Sequence, residues 1–375
     1  MIIAIDMIGT TLGSGTKTYN LNFCEYVRKC ELKNKIYIFI TKEYSKEISL
    51  SENVNIKYII KPFFLKYILL KIIWMQLILP FELKYLGADK FFSPMNMGPI
   101  FLRIFKIKFI LALHSNLPWV YFNKMPGNIL RNHLTKYLME ISISVCDKLI
   151  VDSEFAKNEI INLLKLKKDK VYAIHLGIDN KYLSNEENNY YLKDFKYEDY
   201  IISVLSCVKY HNILSLLKGF KILKLEKKTK IRFVFVMQIL DKNYFNEINS
   251  YAKKNFERNE IIFLHNLNND YLINLYKNAN FYIFSSYCEV FGLTSLEAMS
   301  QGCPVLISNC SALPEINSNA AIYFDPENEN QIKDKMNLIL SNDNYKKEIT
   351  HKGNKHYQKF KWEDTVNKTI NILEN

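Results

Sequence analysis

The sequence predicts an α/β fold with two domains, each built around a parallel sheet. A chain of 375 residues is about the length of two domains at roughly 100 to 200 residues each. Short apolar runs rich in strand formers alternate along it with amphipathic segments of helical period. The clearest unit is a strand at 281–285, a polar loop at 286–292, a helix at 293–301 and a strand at 304–308. Such units build parallel sheets, and ligands bind at the carboxyl ends of their strands.

The first half of the chain carries the same alternation. We predict helices at 17–30, 128–145 and 154–166, and strands at 2–5, 36–41, 54–60, 89–94, 109–114, 148–153 and 171–179. Gly13 and Gly15 lie in a loop between the first strand and the first helix, where backbone amides favour anions, although a lone GxG pattern is weak evidence. The polar, unperiodic stretch 180–199 is the predicted linker.

The most apolar stretch lies at 62–87. Lys66 and Lys71 interrupt it and Pro80 breaks it, so its unbroken apolar part is shorter than the roughly 20 residues that span a bilayer. We predict a core helix that carries Trp74 and touches lipid at most at one end.

The second half opens with a strand at 200–205, a loop at 206–212 and a helix at 213–225. Further strands are predicted at 231–237, 261–264 and 321–324, and further helices at 243–255, 271–277 and 331–340, with a last helix opening at Phe360. No internal repeat or low-complexity tract occurs.

Composition and charge narrow the class of protein. Seven cysteines without a CxxC spacing argue against a disulfide framework or a zinc site and for a reducing cytosol, and residues 1–6 read as a strand rather than a secretory signal. The net charge is +12, and residues 1–180 hold 25 Lys and Arg against 15 Asp and Glu, or +10. A basic N-terminal half suits anionic lipid or an anionic acceptor, but a Lys-rich proteome explains it equally well. No nucleic-acid motif accompanies the charge.

The chemistry of the central unit points to a nucleotide sugar. Gly292 lets the backbone approach a ligand, and the amides of Leu293, Thr294 and Ser295 at the helix start form an anion site that suits phosphate. Glu289 and Glu297 frame this site. A buried carboxylate beside phosphate needs hydrogen-bond donors, and sugar hydroxyls supply them.

These residues also carry a resemblance to a known family. The stretch SSYCEVFGLTSLEAMSQGCPV, with Glu289 and Glu297 eight positions apart, and the following segment Ser311 to Glu315 resemble the donor-site signature of glycosyltransferase family 4 (group 1). The resemblance implies a retaining, metal-independent enzyme of the glycosyltransferase B type, with two Rossmann-like domains facing a cleft. It implies an acceptor-side domain at 1–180, on which a C-terminal helix at 359–375 packs, and a donor domain at 181–358.

The resemblance assigns roles residue by residue. It implies that Glu289 and His114 act at the donor sugar, that Glu297 contacts the ribose and that His265 lies near the base. The other implied donor-binding residues lie near the diphosphate: Phe291, Gly292, Leu293, Thr294, Gly13 and Gly15. No cofactor is implied beyond the nucleotide-diphosphate sugar, UDP- or GDP-linked. The chain contains no Asp-x-Asp triplet of the kind that holds a metal on the diphosphate in other transferases.

One loop departs from the family pattern. Where the family has an arginine and a lysine that offset the diphosphate charge, this chain has Ser206 and His211. Either Lys209 and His211, with Lys218 or a group from another loop, take over that charge, or the site is weakened.

We therefore predict a hexosyltransferase that acts on a glycan or lipid-linked acceptor in surface polysaccharide biosynthesis. It is expected in the cytoplasm, with a peripheral contact to the inner face of the cytoplasmic membrane and no nucleic-acid partner. Two alternatives remain. A non-catalytic subunit that binds a sugar nucleotide or a partner enzyme is favoured only by Ser206 and His211, and a non-hydrolysing nucleotide-sugar epimerase shares the two-domain fold but not the signature.

Overall fold

The chain divides into two compact units. The computed structural model describes residues 1–8, 15–46, 54–183, 199–265 and 267–375. Unit 1 comprises Met1–Asn116, Ile129–Gly177 and Lys361–Asn375, and unit 2 comprises Leu117–Asn128 and Ile178–Phe360. The segment Leu117–Asn128 groups with the second unit although the sequence analysis counted it in the first domain.

Unit 1 is built on a seven-stranded parallel sheet. Its strands are β1 Ile2–Asp6, β2 Lys35–Thr41, β3 Ile56–Lys61, β4 Lys90–Ser93, β5 Lys108–Leu113, β6 Lys148–Val151 and β7 Val171–Ala173, in the order β3-β2-β1-β4-β5-β6-β7. The winding reverses between β1 and β4. The carboxyl ends of those strands and their neighbours are where ligands of open α/β sheets bind.

Unit 2 repeats the design with six parallel strands. They are β8 Tyr200–Cys207, β9 Arg232–Ile239, β10 Ile261–His265, β11 Tyr282–Phe284, β12 Val305–Ser308 and β13 Ala321–Phe324, in the order β10-β9-β8-β11-β12-β13. Strands β11 and β12 are fully buried, which explains their continuous apolar sequences. Here the winding reverses between β8 and β11, so the loops after these two strands meet at one edge of the sheet.

Helices cover the two sheets. They are α1 Gly15–Val27, α2 Ile68–Ile73, α3 Leu79–Tyr85, α4 Leu117–Val120, α5 Ile129–Val145, α6 Glu154–Leu164, α7 Ile213–Lys227, α8 Lys242–Asn255, α9 Asn269–Asn278, α10 Leu293–Ser300, α11 Leu313–Asn317, α12 Glu329–Ser341, α13 Asp343–His356 and α14 Trp362–Glu374. The prediction of two parallel-sheet α/β domains is confirmed. In the part of the chain that the structure describes, no helix is long and apolar enough to cross a bilayer.

Helix α14 returns the end of the chain to unit 1. Trp362 is buried and its ring lies 5.6 Å from that of Tyr19 on α1. Gly177 lets the two chain segments meet, because a Cβ there would lie 2.0 Å from the backbone nitrogen of Trp362. The prediction that the last helix packs on the first domain agrees with this arrangement.

One local prediction was wrong, one strand was predicted too long and one helix was missed. The predicted strand 171–179 ends at Ala173. The stretch 62–87 is helical but is not a core helix: a 3₁₀ turn (Phe63–Lys66), α2, a π-helical turn (Trp74–Ile78) and α3 follow one another, and most of their apolar side chains face solvent. Trp74 itself is buried. Helix α13 was not predicted because its sequence is almost entirely polar and shows little apolar period.

Candidate active site

The loops at the switch point of unit 2 bring His211 and Glu289 together. The Nε2 atom of His211 lies 3.2 Å from Oε1 of Glu289, and its Nδ1 atom lies 2.6 Å from the carbonyl oxygen of Ser206. Ser285 donates a hydrogen bond of 2.7 Å from Oγ to the carbonyl of His211 and ties the two loops. The 3₁₀ turn Lys209–His211 that follows β8 therefore aims the imidazole at the loop that follows β11.

Both ring nitrogens of His211 face acceptors. Nδ1 must carry its proton to bond the Ser206 carbonyl, so Nε2 can bond ionised Glu289 only when it is protonated as well. A doubly protonated ring satisfies both contacts and supplies a positive charge. The position where the family has a lysine thus holds a side chain that is able to act as a cation.

The segment Ser311–Ala312 holds the Glu289 loop from the other side. Ser311 accepts a hydrogen bond of 2.8 Å at Oγ from the amide of Glu289, and the amide of Ala312 donates one of 3.2 Å to the Glu289 carbonyl. Both backbone groups of Glu289 are therefore fixed, which leaves its carboxylate as the part that can meet a ligand.

Helix α10 begins without a side-chain cap. Gly292 has φ +94°, and a Cβ there would lie 2.6 Å from Cδ2 of Leu313, so no other residue fits this turn without strain. The amide and the hydroxyl of Ser295 both donate to the Gly292 carbonyl, at 3.2 and 2.8 Å. The predicted anion site thus loses the Ser295 amide and keeps those of Leu293 and Thr294 at the helix start.

Two predicted donor-binding side chains are engaged elsewhere. The Thr294 hydroxyl lies 2.7 Å from the hydroxyl of Tyr282 on β11. Phe291 is 2% exposed and its ring packs at 5.8 Å on that of Phe360. Only the backbone groups of these two residues therefore remain to contact a diphosphate.

Glu297 lies on α10 among groups from two other segments, the turn at 179–182 and helix α9. Burial raises the pKa of Glu297 to about 7, and the charge of Asp179 adds to this rise, while the phenols of Tyr182 and Tyr276 partly offset it. Gln301, one helical turn further, donates a hydrogen bond of 2.6 Å to the carbonyl of Tyr182 and fixes that segment against the helix. A carboxylate in these surroundings gains from a ligand that donates hydrogen bonds.

The remaining predicted residues of unit 2 are more open. Lys209 is exposed beside His211. Lys218 is paired with Glu329 on α12 at 3.0 Å. His265 is exposed at the end of β10, where its Nδ1 atom lies 3.1 Å from the Met237 carbonyl.

Unit 1 holds the predicted histidine in a buried pair. His114 follows β5, and its Nδ1 atom lies 2.9 and 3.0 Å from the two carboxylate oxygens of Asp152, which follows β6. Its ring lies 4.5 Å from that of Tyr19, and its backbone amide donates to Asn96 at 2.6 Å. Among the described residues, Nε2 of His114 has no hydrogen-bond partner. Gly15 opens α1 with an exposed backbone, and Gly13 lies outside the described residues.

Sequence reasoning gave no role to three residues that shape these sites. Asp152 orients His114, while Asp179 and Tyr182 surround Glu297. A signal existed for Asp152, because it ends the strand next to the one that carries His114. Asp179 stands where the resemblance expects it, but nothing local shows that it or Tyr182 meets Glu297, which lies more than 100 positions away in the chain.

Comparisons with known proteins agree with this architecture. Residues 13–182 match the model of Glycosyltransferase Family 4, and residues 186–356 match that of Glycosyl transferases group 1. The chain belongs to the family 4 (group 1) glycosyltransferases. The O-antigen chain mannosyltransferase B of Escherichia coli is 26% identical over 64% of this chain and 64% of its own length. The O-antigen chain mannosyltransferase RfbU of Salmonella typhimurium is 23% identical over 58% of this chain and 57% of its own. The chain thus spans about 64% or less of the length of these relatives.

Solved structures share the fold across both units. A glycosyltransferase from Rickettsia africae superposes with a TM-score of 0.72 at 18% identity, covering 99% of this chain and 97% of its own. Anabaena Alr3699/HepE, in complex with UDP and glucose, gives 0.74 at 13% identity over 100% and 99%. At these identities the likeness defines the fold alone.

Proposed function

We propose that this protein transfers a hexosyl unit from a nucleotide-diphosphate sugar to a glycan or lipid-linked acceptor in surface polysaccharide biosynthesis. The observation that carries the proposal is the loop and helix start of unit 2. There Glu289, the uncapped amides after Gly292, and Glu297 follow one another at a topological switch point. They match a sugar, a phosphate and a ribose in the order in which a nucleotide sugar presents them.

In the proposed reaction the bond between the anomeric carbon and the diphosphate oxygen breaks, and a bond to the acceptor oxygen forms on the same face. The leaving diphosphate keeps the bonding electrons, and the acceptor's proton passes to one of its oxygens. Charge therefore grows on the diphosphate as the transition state is approached. The amides of Leu293 and Thr294, with Lys209 and His211, are the groups that we assign to this charge.

The names of the relatives favour mannose as the first sugar to test, because two of them are mannosyltransferases of O-antigen chains. Glu289 is proposed to bind hydroxyls of that sugar and Glu297 those of the ribose. For His114 the support lies within unit 1: the Asp152 carboxylate holds Nδ1, and Nε2 is left without a partner among the described residues. A sugar hydroxyl would complete that bonding.

The test is a thermal-shift screen with UDP, GDP and their sugar conjugates, followed by turnover with the nucleotide sugar that binds. Binding to the folded state raises the melting temperature by mass action. We expect one nucleotide to give a shift that Glu289→Gln reduces for the sugar conjugate and leaves in place for the free nucleotide. Exposed Glu247 on α8, changed to Gln, is the matched control.

Binding followed by release of free nucleotide only in the presence of an acceptor supports the transferase. Binding without turnover would instead make this chain a non-catalytic subunit, the alternative that Ser206 and His211 favour. No binding of any nucleotide would refute both. Since helix amides and basic side chains are proposed to carry the diphosphate charge, a chelator should leave the rate unchanged, and a loss that Mg²⁺ restores would contradict this part of the proposal.

A further inference from the structure

The helical segment 63–85 of unit 1 is apolar on its solvent side as well as on its buried side. Lys71, in the middle of α2, is 4% exposed, whereas its apolar neighbours Leu69 and Leu70 are 65% and 42% exposed. The Lys71 ammonium lies 3.1 Å from the Asp6 carboxylate at the end of β1 and also donates to the carbonyl of Ile8. A lysine is buried only when it is paired, and here the pair lies on an inner side that also buries Trp74 and Met75. The segment has more apolar side chains than this inner side holds, and the remaining ones face outward.

The outward side forms a continuous surface, which we call the apolar ridge. Its thirteen side chains are each at least 42% exposed: Phe63, Phe64, Tyr67, Ile68, Leu69, Leu70, Ile73, Leu77, Ile78, Phe81, Tyr85, Phe101 and Ile104. The ring of Phe81 packs at 5.2 Å on that of Phe105 and joins the helix to the turn Leu102–Phe105. The exposed apolar area is on the order of 1,000 Å², above the roughly 300–600 Å² of the largest patch on a typical monomer.

Cations and tyrosines border the ridge. Lys66 lies over the rings of Phe63 and Tyr67 at 5.6 and 5.7 Å, and Lys84 lies over that of Phe105 at 5.7 Å. Arg103 is 66% exposed in the same turn and lies 4.0 Å from Asp147, and Lys66 lies 3.2 Å from Glu43. Both cations therefore have exposed ion-pair partners, whereas Lys84 has none among the described residues. Glu82 faces Lys61 at 2.6 Å, so its negative charge is neutralised. Long basic side chains that lie along apolar surface, with aromatic rings at the ends of a helix, are typical of segments at the boundary between lipid headgroups and acyl chains.

We propose that the apolar ridge docks unit 1 on the surface of an anionic bilayer. The helical part is about 27 Å long at 1.5 Å per residue and lies along the surface, since its inner side is fixed to β1 through Lys71. A second copy of this chain is the less favourable occupant. A two-fold contact sets each patch against itself and brings the two basic borders together.

This inference deepens the lipid-linked acceptor of the proposed function but rests on unit 1 alone. The tie from Lys71 to the carbonyl of Ile8 connects the docked helix to the carboxyl end of β1. Docking therefore places the sheet edge at which His114 and Asp152 also lie at a fixed distance from the lipid surface. An acceptor carried on a lipid would be held within reach of that edge.

The test is co-flotation of the full chain with vesicles of phosphatidylcholine, with or without phosphatidylglycerol. We expect binding to the anionic vesicles that salt weakens. Changing Leu69, Leu70 and Leu77 to Ser removes three exposed leucines, which leaves the packed side intact, and should weaken vesicle binding at least tenfold. The double change Lys84→Glu and Arg103→Glu should abolish the preference for phosphatidylglycerol.

The matched control changes three other exposed leucines, Leu163, Leu225 and Leu240, to Ser. It should bind vesicles as the wild type does. Both triple variants should keep the wild-type far-UV spectrum and the thermal shift with the donor nucleotide, so that lost docking is separated from lost donor binding. Failure of donor binding in every variant would refute the proposed function and leave docking standing.

Three results would overturn the docking proposal. One is the absence of wild-type binding to either vesicle, and another is equal binding by the ridge variant and the wild type. The third is a light-scattering result in which the wild type is a dimer, the ridge variant is a monomer and lipid changes neither state. The ridge would then be an interface between copies of this chain.

Discussion

Glu297→Gln should stabilise the empty protein while it abolishes nucleotide binding. The pKa of Glu297 is raised from 4.5 to about 7, first by burial and then by the charge of Asp179. The difference corresponds to at most about 3 kcal/mol between the ionised and neutral forms in the folded state. Glutamine has nearly the same shape and never ionises, so it avoids this cost.

The sign of the pH dependence follows from the raised pKa. The folded protein binds the proton more tightly than the unfolded chain does, so the contribution of Glu297 to stability is fully present below about pH 4.5. It is lost as the pH rises through about 7. At about pH 8 the wild type therefore carries the cost of ionising a partly buried carboxylate, and Glu297→Gln should exceed it in free energy of unfolding by up to about 3 kcal/mol. Near pH 4.5 the two proteins should be equally stable.

Bound nucleotide should reverse the order of stability of the wild type and the Glu297→Gln variant. Ribose hydroxyls donate to an ionised carboxylate, so binding at about pH 7 should release a proton from Glu297 and raise the stability of the wild type. The glutamine variant cannot accept those bonds with a negative charge, and its thermal shift with nucleotide should vanish. The loss of binding despite a gain in stability is what separates a ligand contact from a structural role.

Chemical unfolding between about pH 5 and 8, with and without nucleotide, measures both effects. Glu247→Gln, which removes an exposed carboxylate from α8 in the same unit, should change neither the pH dependence nor the nucleotide shift. A Glu297→Gln variant that is no more stable than the wild type at about pH 8, or equally more stable at both ends of the range, would show that ionisation of Glu297 does not destabilise the fold.

Three further predictions concern single side chains. Gly177→Ala should destabilise unit 1 by more than about 3 kcal/mol, because the new Cβ would lie 2.0 Å from the backbone of Trp362; a melting temperature like that of the wild type would show that this crossing can widen. Asp152→Asn should lower kcat roughly 10- to 100-fold without changing nucleotide affinity, because His114 loses the carboxylate at Nδ1. A smaller rise in melting temperature with nucleotide would instead mean that the substitution disturbs more than the histidine. Gly292→Ala should remove the nucleotide shift, since a left-handed turn and a 2.6 Å contact both resist the methyl group; unchanged binding would refute the role of the α10 start.

The sequence determined the elements that depend on local pattern. The run from β11 through α10 to β12 was predicted within one or two residues, because continuous apolar runs of strand formers and glycines at special turns are local properties. Gly302, just beyond α10, has φ +72°, a left-handed conformation that glycine adopts readily. Glu289, Gly292 and Glu297 were candidates for the same reason, since one contiguous motif holds all three.

Only the tertiary structure decided which distant residues meet. Nothing local in 62–87 shows that Lys71 pairs with Asp6, or which of the apolar side chains face the core. Most of them face solvent, which makes the core-helix prediction wrong. The partners of His114 and Glu297, Asp152 and Asp179, are likewise set by sheet order and chain return. Period and propensity fix how a segment folds, but burial and charge pairing across the chain fix which of its sides faces in.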